Sequence, residues 1–193
     1  MTMCKRLGLV MLLLMSYLVV AAPICLSQEA GQKQGVEKTE EDEPKTESEK
    51  SKRKELELKA CGPREVKYSA RTDKKQHPVP EAPPDKALIF VIRPTMWGNK
   101  IQTKLAVDGQ WMGVNRGNNY FFFTLDPGEH YFCSDSENRS LLTLNVEAGK
   151  TYYLQQKIKM GMWKARNKLV VLDEAEGKKG LEECHLSLFE EKR

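Results

Sequence analysis

The histidines and cysteines are the residues with which this chain could carry out acid–base, nucleophilic or metal chemistry. His130 and Cys133 stand three positions apart in a predicted strand, where side chains alternate between the two faces. They therefore point to opposite faces and cannot form a nucleophile and base pair. Cys184 and His185 are adjacent, but no further ligand type stands nearby at a zinc-site spacing. We predict no metal site, and a structural role for His130 beside a turn.

Sequence motifs for catalysis are absent from the full chain. There is no phosphate-binding loop, no Gly-x-Ser-x-Gly elbow and no His-Glu-x-x-His. Asp126 and Glu129 bracket a tight turn, where an aspartate most often bonds its own backbone. The sequence predicts a protein that is not an enzyme and has no cofactor, and an enzyme of unrecognised type is the alternative left open.

A basic run is the first candidate binding surface. It is interleaved with Met160, Met162 and Trp163 near the tip of a predicted hairpin. Such a tip is suited to anionic lipid or to an anionic envelope polymer. The alternative is a solvated hairpin whose charged edge discourages strand-to-strand aggregation. The basic residues are Lys157, Lys159, Lys164, Arg166 and Lys168.

A polar and aromatic segment is the second candidate surface. Trp111 precedes a short stretch that contains Arg116 and Asn118 and ends beside Tyr120. Amides, a guanidinium and aromatic faces are the groups that hold sugars or peptides. The alternative is a polar turn in which asparagine and glycine adopt positive φ angles.

Composition and charge limit the class of protein. The 193 residues suit one domain with tails. The formal net charge of +4 is too small for a dedicated nucleic-acid binder, so we expect no nucleic-acid partner. The 30% of charged residues and the 40% of hydrophobic residues indicate an ordered core joined to a polar tail.

The amino-terminal segment is typical of an export signal. Lys5 and Arg6 precede an uncharged apolar stretch from Leu7 to Ala22, and Ser27 is the favoured cleavage position. An uncleaved membrane anchor is the alternative. We expect residues 1–27 to be a signal peptide and the mature protein to be periplasmic or associated with the cell envelope.

The cysteines then bear on disulfide formation. Removal of the signal leaves Cys61, Cys133 and Cys184, which allow one disulfide and one thiol in an oxidising compartment. We predict the pair Cys61 and Cys184, because these residues flank the strand-rich region and close a long loop. Cys133 is interpreted as a buried thiol that packs as a small hydrophobic group.

Residues 28–85 are predicted to be a disordered linker. Charges of both signs dominate as far as Lys59, so the segment has too little apolar area to offset its ordering entropy. A helix from Glu47 to Lys59, solvated on all sides, is the alternative. Five prolines between Cys61 and Asp85 favour an extended spacer.

Residues 86–193 are predicted to form an all-β domain. Ala87–Ile92 is an apolar run suited to a strand that is covered on both faces. Asp108-Gly109 suits a type I′ hairpin, and Asp126-Pro127-Gly128 suits a type II turn. Asp173 is suited to capping a short helix that ends near Cys184. About seven or eight short strands with frequent turns indicate an antiparallel β-sandwich with a short C-terminal helix.

Four stretches of the sequence together carry a resemblance to a known family. They are residues 87–94 (ALIFVIRP), 107–109 (VDG), 125–130 (LDPGEH) and 146–153 (VEAGKTYY). In this order they resemble the bacterial family called domain of unknown function (DUF) 2846, from about Asp85 onward. The resemblance implies an exported or lipid-anchored protein with a small β-sandwich similar to PEGA domains. It implies no activity, and therefore no catalytic residue.

These observations together predict an exported, non-enzymatic β-sandwich module of the bacterial cell envelope. Its role would be binding or assembly, with a polymer, a lipid surface or a protein of the envelope as partner. A purely structural domain held in place by its linker is the alternative.

Overall fold

The computed structural model describes residues 38–40, 46–63, 66–95, 98–160 and 165–192. They form two helices and eleven strands. In chain order these are β1 (Lys38–Glu40), α1 (Glu47–Ala60), β2 (Tyr68–Asp73), β3 (Ala87–Arg93), β4 (Thr103–Val107), β5 (Gln110–Asn115), β6 (Asn119–Leu125), β7 (Gly128–Asp135), β8 (Arg139–Val146), β9 (Thr151–Met160), β10 (Ala165–Leu172), α2 (Glu174–Glu182) and β11 (His185–Glu191).

The strands form two sheets, which confirms the predicted sandwich. Sheet A has the order β1-β8-β7-β4-β5, and sheet B has the order β10-β9-β3-β6-β11-β2. Strand pairs are antiparallel, except that β3 runs parallel to β9 and β11 runs parallel to β6. The strands exceed the expected seven or eight because β1, β2 and β11 add to the predicted set.

The central strand β3 is buried on both faces, as its uninterrupted apolar run predicts. All seven of its residues are buried. Ile89 and Val91 pack between the two sheets, whereas Phe90 faces the outer side of sheet B. The neighbouring strand β6 alternates in the same way, with Phe121 toward the core and Tyr120 outward.

The predicted Asp108-Gly109 turn has the backbone that its residues favour, whereas Gly128 begins β7 and does not have the φ of about +80° that the predicted type II turn requires. Asp108 and Gly109 both have positive φ, at 50° and 79°, as a type I′ turn requires. Gly128 has φ 141°, which an L side chain rarely adopts. The first turn joins the hairpin β4–β5, whereas the second segment connects β6 of sheet B to β7 of sheet A.

The outer face of sheet B is covered by α2 and by an extended strap of residues 74–86. Asp173 caps α2 as predicted, and its side chain accepts a hydrogen bond of 2.8 Å from the Glu176 amide. Leu181 at the end of α2 is buried against this face. The strap is fastened by the Tyr120 hydroxyl, which donates to the Pro78 carbonyl at 3.0 Å.

The outer face of sheet A is covered by α1, where the sequence predicts a linker. Thr46 forms a capping box with Glu49, and Leu56 and Ala60 pack against Ala106 and Leu141 of the sheet. Strand β2 lies in the same expected linker and pairs with β11. The prediction of disorder is therefore wrong for these two elements, because contacts distant in sequence supply the burial that their own residues lack.

The disulfide joins Cys61 to Cys133, so the predicted Cys61–Cys184 pair is wrong. Cys61 and Cys133 lie on the outer face of sheet A, whereas Cys184 is buried on the outer face of sheet B. Two sheets and the core between them separate the two faces, which is too far for a disulfide. Cys133 is buried as expected, but it is bonded rather than a thiol, and Cys184 is the free cysteine among the described residues.

The predicted signal peptide, residues 1–27, lies outside the described residues. No helix within the described ranges is long and apolar enough to cross a membrane.

Candidate functional site

The β9–β10 hairpin gathers cationic side chains on one face. Tyr152 and Leu154 of β9 and Leu169 of β10 point into the core, so strand alternation turns the basic residues of both strands away from it. The register pairs like charges: Lys159 lies opposite Arg166, and Lys157 lies opposite Lys168. Like charges directly opposite each other are destabilising. The hairpin therefore carries a charge pattern that folding alone does not favour.

A cavity of about 220 Å³, here called the basic pocket, lies beside this hairpin. Its walls come from α1, from the connection between β7 and β8, and from the β9–β10 hairpin. Five of its eight residues are cationic. The lining residues are Arg53, Asn138, Arg139, Ser140, Lys159, Arg166, Asn167 and Lys168.

The neutral groups of the basic pocket hold its walls together. Asn138 donates from Nδ2 to the Asn167 carbonyl at 3.0 Å, and its Oδ1 accepts from the Asn167 amide at 2.6 Å. The Ser140 hydroxyl accepts from the Leu169 amide at 3.0 Å. These contacts tie β8 of sheet A to β10 of sheet B. The amide and hydroxyl groups of Asn138, Ser140 and Asn167 are consequently engaged within the fold.

Helix α1 completes the basic pocket with Arg53. Its Nη2 donates to the Arg139 carbonyl at 3.2 Å, which holds the helix against the start of β8. Arg139 is itself fixed by Glu57, with Nη1 and Oε1 2.5 Å apart, and only 13% of its side chain is exposed. Glu57 neutralises one of the five cations, so the pocket keeps a positive excess.

A network of buried polar groups supports the basic pocket from inside the sandwich. Ser134 donates from Oγ to Asn167 Oδ1 at 2.8 Å and accepts from Gln156 Nε2 at 3.1 Å. The Gln156 Oε1 in turn accepts from Asn115 Nδ2 at 3.3 Å. Buried networks of this kind fix side-chain positions. The pocket wall at Asn167 is thus rigid.

The buried Arg93 lies at the same polar end of the sandwich. Its guanidinium donates to the carbonyls of Gly98 and Ile101, at 2.8 and 2.6 Å. Burial lowers the pKa of Arg93 to about 10, so it remains charged at neutral pH. It braces the connection between β3 and β4.

The second predicted surface is not assembled as the sequence analysis expects. Trp111 lies near the start of β5, and Arg116 and Asn118 follow its other end, about 16 Å away at strand spacing. The Trp111 indole donates to the Pro63 carbonyl at 2.8 Å, and Lys104 Nζ lies 4.6 Å from its ring centroid. The Trp111 ring is therefore engaged in contacts within the protein. Asn118 has φ 54°, which fits the alternative of a polar turn.

The remaining candidate residues have the following positions. His130 Nδ1 lies 2.6 Å from Asp108 Oδ2, and Nε2 lies 2.8 Å from the Asp126 carbonyl, so the ring braces two turns. Trp163 and Lys164 lie outside the described residues. In the part of the chain that the structure describes, no group of three His, Cys, Asp or Glu side chains is placed to hold a metal ion.

Sequence reasoning identified the hairpin cations but missed Arg53 and Arg139. Arg53 stands in the segment expected to be disordered, and Arg139 is the first residue of β8, at the end of the strand away from the hairpin cations in the sequence. The Asn138–Asn167 contact that joins the walls links residues of different sheets. No local pattern indicates such a contact.

Comparison with known proteins confirms the resemblance. The family model described as "Protein of unknown function (DUF2846)" matches residues 83–168. A protein of Haemophilus influenzae described as uncharacterized is 27% identical over 101 residues, which are 52% of this chain and 60% of that relative. The chain thus spans less than two thirds of the relative's length. No solved structure matches the chain.

Proposed function

We propose that this chain, which matches the DUF2846 family model over residues 83–168, is an exported, non-enzymatic module that binds an anionic component of the cell envelope. The observation that carries the proposal is the basic pocket, in which three separate segments bring five cationic side chains around one cavity. The pocket extends onto the hairpin face through Lys159, Arg166 and Lys168.

The unpaired state of several hairpin cations supports a binding role. Lys157, Lys159 and Arg166 make no ion pair with any described residue, although they lie in like-charged cross-strand pairs. An anionic ligand between the two strands would relieve this repulsion. The unfavourable charge pattern then has a functional reason.

The disulfide supports an extracytoplasmic location. Structural disulfides persist in oxidising compartments and are rare in the reducing cytosol. The Cys61–Cys133 bond agrees with export directed by the amino-terminal segment, residues 1–27. Periplasmic or envelope-associated placement is part of the proposal.

A purely structural role is the second candidate, and one observation favours it. Strand β10 is at the edge of sheet B, where charged side chains protect an open edge against association with other strands. In that case the hairpin cations would have no ligand.

Charge reversal on matched edges distinguishes these candidates. The double variant Lys159→Glu/Arg166→Glu alters the β10 side, and the control Lys74→Glu/Lys75→Glu alters exposed residues next to β2 at the opposite edge of sheet B. Binding is measured at low salt by cosedimentation with phosphatidylglycerol vesicles and by titration with dextran sulfate. Phosphatidylcholine vesicles serve as the neutral surface.

We expect the wild type and the control to bind at least one anionic probe. The hairpin variant should bind it at least about 30-fold more weakly, since each basic residue near an anionic surface contributes about 1 kcal/mol. Equal binding by the two variants would support the structural role instead. Circular dichroism checks that both variants keep the sheet structure.

A further inference from the structure

A second depression adjoins the basic pocket and differs from it in chemistry. This α1 depression, of about 610 Å³, is bounded by one side of α1 and by the residues that follow it. It shares Arg139 with the basic pocket. The lining residues are Lys54, Glu57, Leu58, Cys61, Gly62, Pro63 and Arg139.

The size of the basic pocket limits what it can hold. Pockets that take a whole drug-sized molecule measure about 300–1,000 Å³. At about 220 Å³, the basic pocket suits a single charged group that belongs to a larger molecule. The rest of that molecule must continue across a neighbouring surface.

The α1 depression offers a partly apolar surface for that continuation. Leu58 is 75% exposed, and Val79 is the other large apolar side chain that is exposed among the described residues. Leu58 lines this depression together with Cys61, Gly62 and Pro63, and the charged residues of the lining are Lys54, Glu57 and Arg139. A single exposed leucine needs no explanation. The position of Leu58 does need an explanation, because Leu58 lies at the wall of a cavity that shares Arg139 with the basic pocket.

The wall of the α1 depression is fixed in place. Gly62 lies so close to Trp111 that an added Cβ would be 2.6 Å from the indole nitrogen. The Trp111 indole also holds the Pro63 carbonyl at 2.8 Å, and the disulfide anchors Cys61 to β7. The surface beside Leu58 is therefore formed before any ligand arrives, which lowers the cost of binding.

We infer that the two cavities form one site for an anionic amphiphile. A phosphate or sulfate monoester group lies in the basic pocket, and the first part of its alkyl chain follows the α1 depression past Leu58. The inference rests on the proposed function, because it assigns the ligand class of the same basic pocket. Arg139, at the junction, is the cation nearest to both parts of the ligand.

Calorimetric titration with a graded series of ligands tests this inference. The probes are inorganic phosphate, butyl phosphate and octyl phosphate, each at concentrations where it is monomeric. Each methylene that becomes fully buried should tighten binding by up to about fourfold. The wild type is therefore expected to bind octyl phosphate at least tenfold more tightly than inorganic phosphate.

Two matched substitutions locate the alkyl chain. Leu58→Asn removes the exposed apolar side chain of the α1 depression, and Val79→Asn makes the equivalent change in the strap over sheet B. Leu58→Asn should abolish most of the gain from the octyl chain and leave the affinity for inorganic phosphate unchanged. Val79→Asn should leave both affinities unchanged.

Several outcomes would overturn the inference and leave the proposed function intact. One is equal affinity of the wild type for all three phosphates, and another is an equal loss in the two asparagine variants. Binding to phosphatidylglycerol vesicles without binding to monomeric octyl phosphate would assign the basic face to the bilayer surface as a whole. Failure of the phosphates, the vesicles and dextran sulfate together would overturn both proposals.

Discussion

The two outer faces of the sandwich are covered by helices that are held in different ways. Helix α2 packs on sheet B with Gly177, Gly180 and Leu181 all buried. Helix α1 buries only Ala60 on sheet A. Besides the packing of Leu56 and Ala60, the disulfide, the Glu57–Arg139 ion pair and the Arg53 hydrogen bond hold it.

Helix α2 thus mainly stabilises the core, whereas helix α1 contributes side chains to the candidate site. Apolar contacts on sheet B leave little polar surface between helix and sheet. On sheet A, the charged residues of α1 remain at the surface and line both the basic pocket and the α1 depression. A helix anchored by a covalent bond can keep charges at its contact surface that an apolar contact would exclude.

The largest expected effect is loss of the disulfide. The double variant Cys61→Ser/Cys133→Ser opens a loop of 72 residues, which by the chain-entropy model lowers the free energy of unfolding by about 4 kcal/mol. Urea denaturation measures this change, and limited proteolysis should cut α1 before α2. If α1 and α2 are cut at equal rates, the contrast between the two covers is wrong.

A large effect is also expected on the reactivity of the Cys184 thiol, which is buried on the outer face of sheet B. Burial raises the pKa of its thiol to about 12 from an ordinary value of 9.0. At pH 8 the thiolate fraction should be about 1,000-fold lower in the folded than in the unfolded protein. Alkylation of the Cys184 peptide by iodoacetamide, followed by mass spectrometry with and without urea, measures the ratio.

The sign of the pH effect follows from the same shift. Because the thiol ionises in the unfolded chain first, its contribution to folding stability is complete below pH 9 and is lost as the pH rises toward 12. Rapid alkylation of Cys184 in the native protein at pH 8 would contradict the raised pKa of this thiol.

A smaller effect is expected when the close contact of α2 is disturbed. A Cβ added at Gly177 would lie 2.2 Å from Cγ of Tyr153, so Gly177→Ala forces the helix away from sheet B. We expect the free energy of unfolding to fall by about 2 kcal/mol. Glu182→Ala, on the exposed side of the same helix, is the control and should change stability little. Thermal denaturation of both variants checks the difference.

The smallest expected effect on stability comes from the ion pair under α1. Glu57→Gln removes the closer of the two carboxylates beside Arg139, whose Nε also lies 3.9 Å from Asp135 Oδ1, and should lower the free energy of unfolding by about 1 kcal/mol. The same change raises the positive charge of the basic pocket, so inorganic phosphate should bind more tightly. Weaker phosphate binding in this variant would show that Glu57 orients Arg139 toward the ligand.

Much of the fold between residues 87 and 182 could be predicted because its signals are local. The apolar run of β3, the Asp108-Gly109 turn and the Asp173 cap each depend on a few neighbouring residues. Helix α1 and strand β2 could not, because their stability comes from partners that are distant in the sequence. The prediction of the disulfide pair was wrong for the same reason. The choice of partner depends on which face of which sheet each cysteine occupies.

The candidate site could be predicted only in part. Lys159 and Arg166 are visible as a basic run, since adjacent strands keep them together. Arg53 and Arg139 join them only after α1 is placed on sheet A and Asn138 is tied to Asn167. Recognition of the pocket therefore required the complete fold.

Strand β11 has a consequence for how the chain folds while it is being made. Its Leu188 pairs with Arg71 of β2, and β11 also separates β2 from β6. At synthesis rates of about 5–20 residues per second, on the order of ten seconds pass between the synthesis of β2 and the synthesis of β11. Until then, the edge of β6 that β11 covers is open to incorrect strand partners. Sheet B can therefore be completed only after β11 has been synthesised.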